Sequence, residues 1–438
     1  LLQWILFISI SLVTILFFWM VTLPKSFFKK YKTEIFLLGL SLRVIFIFLP
    51  PVWEDDWARY LWEGNFIRAG ESPYEIAPEN SFQKSNLSEI ETEILSQINH
   101  PDWTTIYTPF VLLYFALFSP GFSGVFLKLS YLIFETFSFL LYSKGKPFKF
   151  PLLYWIFPIL IKEVYLNYHF EILILSLFWI FLNTLKNKRY SLSSFIFGLA
   201  VHIKFFSLCY FMYLIQNIPF KTWKKDWKEW LMVGLSFVFG FFIFYFIYYL
   251  IFPNSNDFGF TNLLRFGGSF KFNQFYEPFW KIFGVMDLRT FPLMFLLSSM
   301  LIFLFINLEK KNQFRKLQST SRKLDLYFLF GYLSLCLLPV YNPWYFLILL
   351  PILVTSKSER IFPWILVSIP QLSYLTSARL GLEFSYFYEI PNSILLSEAL
   401  ISLICLTWHF RQIFILLYKI SNISNIAPKG SIGYGNRN

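Results

Sequence analysis

Apolar residues run along this chain in blocks of up to about 20, the length that carries a helix across a hydrocarbon layer ~30 Å thick. The blocks fall near residues 1–23, 34–50, 121–142, 150–165, 170–185, 191–203, 204–217, 231–252, 290–307, 324–340, 344–355, 360–375 and 392–418. They predict an all-α polytopic membrane protein with about 13 transmembrane helices. The two blocks that meet at His202–Lys204 read as one broken, re-entrant hairpin, and 104–119 as a partly embedded helix on the outer side. Ten-residue segments of alternating polarity, the mark of a membrane barrel, are absent. Leu1–Leu23 has no basic stretch before it and no small-residue cleavage site after it, so a retained span is expected. No soluble domain and no internal repeat interrupts the pattern, which makes 1–438 a single transmembrane domain.

Composition agrees with this pattern. The chain is 56% hydrophobic and 15% charged, against about a quarter charged in soluble proteins. Disorder is excluded by the wealth of apolar residues. Cys209, Cys336 and Cys405 all lie in apolar blocks, with neither metal-ligand spacing nor a disulfide framework. A net charge of +12 raises the question of nucleic acid, and its distribution answers it. Of the 38 Lys and Arg, 26 fall in alternate loops: Lys25–Lys32, Lys144–Lys149, Lys186–Arg189, Lys221–Lys228, Lys310–Lys323, Lys357–Arg360 and the tail from Arg411. Positive loops stay in the cytoplasm, so the charge reports topology and no nucleic-acid partner is expected. The N-terminus then lies outside and 419–438 forms a cytoplasmic tail.

The opposite face carries two long loops, 51–105 and 253–289. The first holds eleven acids against three bases. In Trp53-Glu54-Asp55-Asp56-Trp57-Ala58-Arg59-Tyr60-Leu61-Trp62-Glu63-Gly64, Glu54 or Asp55 is placed to cap a juxtamembrane helix. Helical spacing sets Asp55 beside Arg59, and Asp56, Arg59, Tyr60 and Glu63 on a neighbouring face. The second loop contains Gly259, Gly267 and Gly268, which predict a mobile segment around Arg265. Arg43 and Glu135, both inside spans, are expected to pair.

The run Asp55-Asp56-x-x-Arg59-Tyr60-x-Trp62-Glu63-Gly64, followed by Ala69-Gly70-x-x-Pro73-Tyr74-x-x-Ala77-Pro78, resembles the first outer loop of bacterial GT-C glycosyltransferases. These are multi-span enzymes of the mannosyltransferase type that use polyprenyl-phosphate sugars. Further elements are similar and come in the same order. They are Asn99-His100-Pro101-Asp102-x-x-Thr105-Ile106-Tyr107, then Glu163 with Asn167-x-His169-x-Glu171, then Lys204, then Pro343-Trp344-Tyr345. Glu63 and Glu171 stand where such proteins commonly have Asp. The resemblance implies a GT-C-like bundle in the bacterial inner membrane, with its active site on the extracytoplasmic side. It implies an inverting transfer of a sugar, mannose above others, from a polyprenyl-phosphate carrier to a glycolipid, polysaccharide or protein acceptor.

Such a reaction needs a carboxylate to deprotonate the acceptor hydroxyl opposite the phosphate, and cations to hold that phosphate. From the residues alone the base is Asp55 or Asp56; the resemblance favours Asp55, with Asp56 orienting or coupling to it. Lys204, Arg265, Lys162 and Arg289 are the cations within reach of the outer face. Arg59, Tyr60, Glu63, His100, Asp102, Tyr107, His169 and Glu171 are expected to bind substrate, and Trp344 and Tyr345 to stack on a sugar ring. His100 with Asp102 and His169 with Glu171 offer the donors a divalent metal takes, but two such pairs define no coordination geometry. No metal or other cofactor is expected. A lipid-linked sugar flippase is the alternative. It would place ionisable groups at mid-membrane within inverted repeats, whereas here the acids gather in an outer loop.

Overall fold

Most of these blocks are helical in a computed structural model, which describes residues 2–82, 87–146, 148–211, 214, 227–255, 257–273, 320–336, 338, 340–377, 379–380 and 389–424. Among the described residues the protein is all-α, with 17 α-helices and a single isolated bridge between Phe272 and Val340 in place of a sheet. In chain order they are α1 (Leu2–Thr22), α2 (Lys25–Lys30), α3 (Lys32–Ile47), α4 (Asp56–Arg68), α5 (Glu89–Ser96), α6 (Pro109–Phe118), α7 (Gly124–Ser143), α8 (Lys149–Trp155) and α9 (Pro158–Ile161). There follow α10 (Glu171–Lys186), α11 (Tyr190–Ile203), α12 (Trp227–Ile251), α13 (Phe260–Ser269), α14 (Thr320–Cys336), α15 (Leu350–Ser356), α16 (Phe362–Ser368) and α17 (Asn392–Ser424).

Four helices among the described residues are long and apolar enough to cross a membrane: α1, α7, α12 and the Asn392–His409 part of α17. Their outward faces are mostly apolar over several turns. Leu16 is 61% exposed, Ile133 71% and Leu403 61%, an arrangement that water does not tolerate over such an area. The other blocks expected to make up about 13 spans are shorter or broken among the described residues, and proline explains much of this. The block 150–165 breaks where Pro158, lacking an N–H and crowding the preceding turn, separates α8 from α9. A π turn, Lys162–Leu166, ends that block. The block 344–355 begins as a 3-10 turn, Pro343–Leu349, before α15, and Pro370 turns the end of 360–375 into a second 3-10 turn, Ile369–Tyr374. Lys204 is extended and ends α11, as a broken hairpin requires. The block 290–307, residues 274–289 of the second loop with Arg289, and 425–438 of the tail lie outside the described residues.

A continuous apolar core runs from Phe17 to Cys405, with Trp155, Trp179 and Trp364 fully enclosed. Within it Arg43 and Glu135 pair as expected: Nε donates to Oε2 at 2.8 Å and Nη2 to Oε1 at 2.9 Å. Trp155 lies under the guanidinium, 3.8 Å from it.

The pair α11 and α12, which run in the same direction, meets through small residues, as helices do when backbones must touch. A methyl group on Gly198 would lie 2.3 Å from the Phe237 carbonyl oxygen, and one on Gly240 2.2 Å from that of Phe195. Ser194, one turn before Gly198, donates to the Val233 carbonyl at 2.8 Å. Because the obstructing atoms are backbone, Gly198→Ala should destabilise the protein by about 1–3 kcal/mol. Thermal unfolding in detergent checks this; an unchanged midpoint would show that the helices separate freely.

Candidate functional site

The chain leaves α3 through Pro50 and Pro51 and reaches α4 five residues later. Lys128 fixes the start of this passage by donating to the Phe46 and Leu49 carbonyls at 3.1 and 3.0 Å at the end of α3. Asn167 fixes the next step, its Oδ1 accepting from Val52 N at 3.1 Å. Trp53 adopts a left-handed φ of 70°, and its carbonyl accepts from the Arg379 guanidinium. Asp55 occupies the position before the first turn of α4, but its side chain makes no capping bond there, contrary to the expectation of a cap. Nor is α4 a solvated surface helix: Ala58 through Gly64 are all buried.

Glu163 is the hub of what gathers around this passage. Its carboxylate accepts from Lys162 Nζ at 2.8 Å, Gln371 Nε2 at 2.6 Å, Tyr374 Oη at 3.0 Å and Asn167 Nδ2 at 3.2 Å. His169 sits beside it, with Nε2 3.6 Å from Glu163 Oε2 and no hydrogen bond formed. The other ring nitrogen, Nδ1, faces the Tyr60 hydroxyl at 3.4 Å, and that hydroxyl is 3.3 Å from Asp56 Oδ2. Trp344 covers the imidazole in a parallel stack, centroids 3.8 Å apart. Next to this line Glu171 is paired with Lys204, whose ammonium lies over the rings of Phe170 at 4.4 Å and Tyr345 at 4.8 Å. Tyr107 joins edge-on to Tyr60, centroids 5.4 Å apart.

The carboxylates of this passage feel one another. Burial pushes the Asp56 carboxyl up to about 6; the neighbouring Asp55 adds to the effect, and Lys204, Arg59 and the Tyr60 hydroxyl oppose it. Glu54 is also driven well above the usual carboxylate range, by burial first and then by Asp56, Glu163 and Asp55.

Asp55, Asp56, Tyr60, Tyr107, His169, Glu171, Lys204, Trp344 and Tyr345 are thus brought to one region from several separate segments. The remaining expectations fare differently. The Arg59 guanidinium donates to Glu63 at 3.1 Å and to the carbonyls of Trp103, Asn99 and His100 at 3.1, 2.9 and 2.7 Å. It staples the end of the first loop to α4, so its donors are spent on the protein itself. Glu63 is buried, pushed up to about 7 by that burial, and accepts from Thr105 Oγ1 at 2.8 Å. Both serve the scaffold. His100 and Asp102 are exposed; the His100 ring packs on Trp103 and Phe270, with centroids 5.1 and 5.9 Å away. Arg265 belongs to this second group, over the Trp103 ring at 4.2 Å, and it lies on helix α13 rather than in a loose Gly-rich loop. Gly259, at φ 76°, starts that helix where a side chain would meet the Thr105 carbonyl. Of the described residues, no three His, Cys, Asp or Glu are grouped as metal ligands.

Sequence reasoning passed over Gln371, Tyr374 and Arg379, which sit in or beside an apolar block without a motif. The adjacent opposite charges of Lys162-Glu163 inside an apolar run were the available signal, since such a pair in a membrane segment requires partners. Comparison with protein-family models, with curated proteins and with solved structures finds no match to this chain.

Proposed function

We propose that the chain is an inverting glycosyltransferase of the bacterial inner membrane, moving a hexose, mannose above others, from a polyprenyl-phosphate carrier to a hydroxyl acceptor at the extracytoplasmic face. One observation carries the reading: residues 54–60, 163–171, 204 and 344–345, far apart in sequence and all expected on one face, converge on a single cluster of carboxylates, ammoniums and aromatic rings. The reaction needs those parts. A carboxylate of the Asp55–Asp56 pair takes the acceptor proton as its oxygen attacks the anomeric carbon, and the carrier phosphate leaves from the opposite side with the bond's electron pair. No metal is needed to supply the leaving group, because the phosphate is already built into the donor. Lys204 is an ammonium whose charge acts on Asp56; it is held by Glu171 and exchanges part of that contact for the phosphate. Tyr345, half-buried beside Lys204, offers a ring to the sugar. Arg265 and Trp103, with His100, form an outer shelf for the acceptor.

The topology has support from the opposite end. Lys25 and Lys149 share Glu359 at 3.3 and 3.9 Å, and Lys146 has Lys186 and Lys357 as charged neighbours, so the basic loops meet at a common end. With that end in the cytoplasm and the 51–105 loop at the other, a cysteine at exposed Ser96 should react with an impermeant thiol reagent from outside intact cells, and one at exposed Asn187 should not. The native cysteines, all buried, leave a low background. Labelling of Asn187→Cys with Ser96→Cys silent would turn the cluster to the wrong side for a lipid-linked donor and sink the reading. A flippase remains the competing class; it would move carrier across vesicles without releasing sugar.

A further inference from the structure

The single proton of the Tyr60 hydroxyl has two acceptors, Asp56 Oδ2 at 3.3 Å and His169 Nδ1 at 3.4 Å, and it serves one at a time. Buried and enclosed by Trp344, His169 turns Nε2 toward Glu163, a carboxylate already fixed by Lys162, Gln371, Tyr374 and Asn167. A negative oxygen at 3.6 Å favours the tautomer with hydrogen on Nε2, which leaves the Nδ1 lone pair for Tyr60. Burial, with Lys204 and Lys162 close by, keeps that imidazole neutral. The site therefore holds a rotor between a carboxylate and a lone pair of fixed direction.

Building on the transferase reading, we propose that Asp56 is the member of the pair that takes the acceptor proton, and that Tyr60 and His169 are positioning residues that re-aim with it. Before transfer, Tyr60 donates to the Asp56 carboxylate. As the acceptor oxygen bonds to the anomeric carbon and the carbon–phosphate oxygen bond breaks, the hydroxyl proton moves to Asp56. The new Asp56 O–H then donates to the Tyr60 oxygen, and the Tyr60 O–H turns to His169 Nδ1. No net charge reaches His169, and Glu163 serves only to hold its tautomer. The carboxylate is held by one hydrogen bond before the step and its acid form by another after it, so the product side of the proton transfer is stabilised. Asp55, on the same stretch, adds negative charge beside Asp56.

The charged and titratable groups facing Asp56 are Glu54 and Asp55 just before α4, Arg59, Tyr60 and Glu63 on α4 itself, Tyr107 before α6, Lys204 after α11 and Tyr345. Difference infrared titration of the protein in nanodiscs, parent minus Asp56→Asn, isolates the Asp56 carboxyl band. Its midpoint should lie near 6 in the parent. Tyr60→Phe removes a donor to the carboxylate and should move the midpoint up by about one pH unit. His169→Phe keeps a ring against Trp344 but leaves Tyr60 only Asp56 to serve, and should move it down. The double variant should behave like Tyr60→Phe, and His169→Gln, whose amide carries both an acceptor and a donor, should return toward the parent. In sugar transfer, each Phe variant should lower kcat about tenfold with donor KM unchanged, and the double should be no worse than Tyr60→Phe. Shifts of equal sign, no shifts, or additive losses would overturn the proposal, as would full activity in Asp56→Asn. Opposite shifts in a parent that transfers no sugar from any lipid-phosphate donor would instead uphold the coupling and reject the transferase reading.

Discussion

Replacing Asp55 and Asp56 together by Asn is expected to lower sugar transfer by about two to four orders of magnitude while donor affinity stays near the parent's. Asn keeps the size and much of the hydrogen bonding of Asp but cannot take a proton, so a loss confined to turnover points to proton transfer. The two carboxylates influence each other, and single variants are therefore expected to differ in degree. Tyr60 bonds Asp56 in the arrangement proposed both before and after the step, so Asp56→Asn should account for most of the loss and Asp55→Asn for less. Radiolabelled transfer at saturating donor, with donor binding measured separately, checks both. Parent rates in the double variant would leave the cluster as packing at the mouth of a transmembrane bundle.

The second large effect is structural. Arg43→Leu should destabilise the protein by about 3–5 kcal/mol, because it leaves Glu135 ionised or unsatisfied in the core. Arg43 is fully buried and spends its guanidinium on both Glu135 oxygens and on the Gly39 and Trp155 carbonyls, tying α3, α7 and α8 together. Tyr165 adds a hydroxyl to Glu135. Changing both partners, Arg43→Leu with Glu135→Leu, should recover much of that loss, since an apolar pair carries no desolvation penalty. Thermal unfolding of the two variants in the same detergent measures the difference. Equal damage in both would mean that the remaining bonds of Arg43, not its charge pairing, hold the three helices.

Long apolar runs made α1, α7, α12 and α17 plain in the sequence, because nothing in them competes with a helix. Blocks containing Pro158, Pro351 or Pro370 look alike in apolar content, yet the missing N–H breaks or tightens each helix there, so apolar content alone does not tell which blocks form one unbroken helix. The first loop gave its helix and its acids readily, and the pairing of Arg43 with Glu135 followed from two charges that had nowhere else to go. Roles inside the loop were harder to read. Arg59 and Glu63 share the spacing of Asp56 and Tyr60, but the former pair turns to the loop end at 99–105 and the latter to His169. Which way a side chain turns depends on what packs above it. For the same reason Gln371 and Tyr374, which reach Glu163 from across the chain, left no local trace.

The central claim is that this chain transfers sugar from a lipid phosphate. Its most direct test places the purified protein in vesicles with synthetic polyprenyl-phosphate hexoses, polyprenyl-phosphate mannose first, and a cell-envelope extract as acceptor. Mass spectrometry then follows the released carrier and the glycosylated product. The account predicts polyprenyl phosphate released in step with a product of inverted anomeric configuration, and neither in the Asp55→Asn/Asp56→Asn protein. Intact donor with every hexose tried, or carrier crossing the bilayer with its sugar still attached, would contradict it.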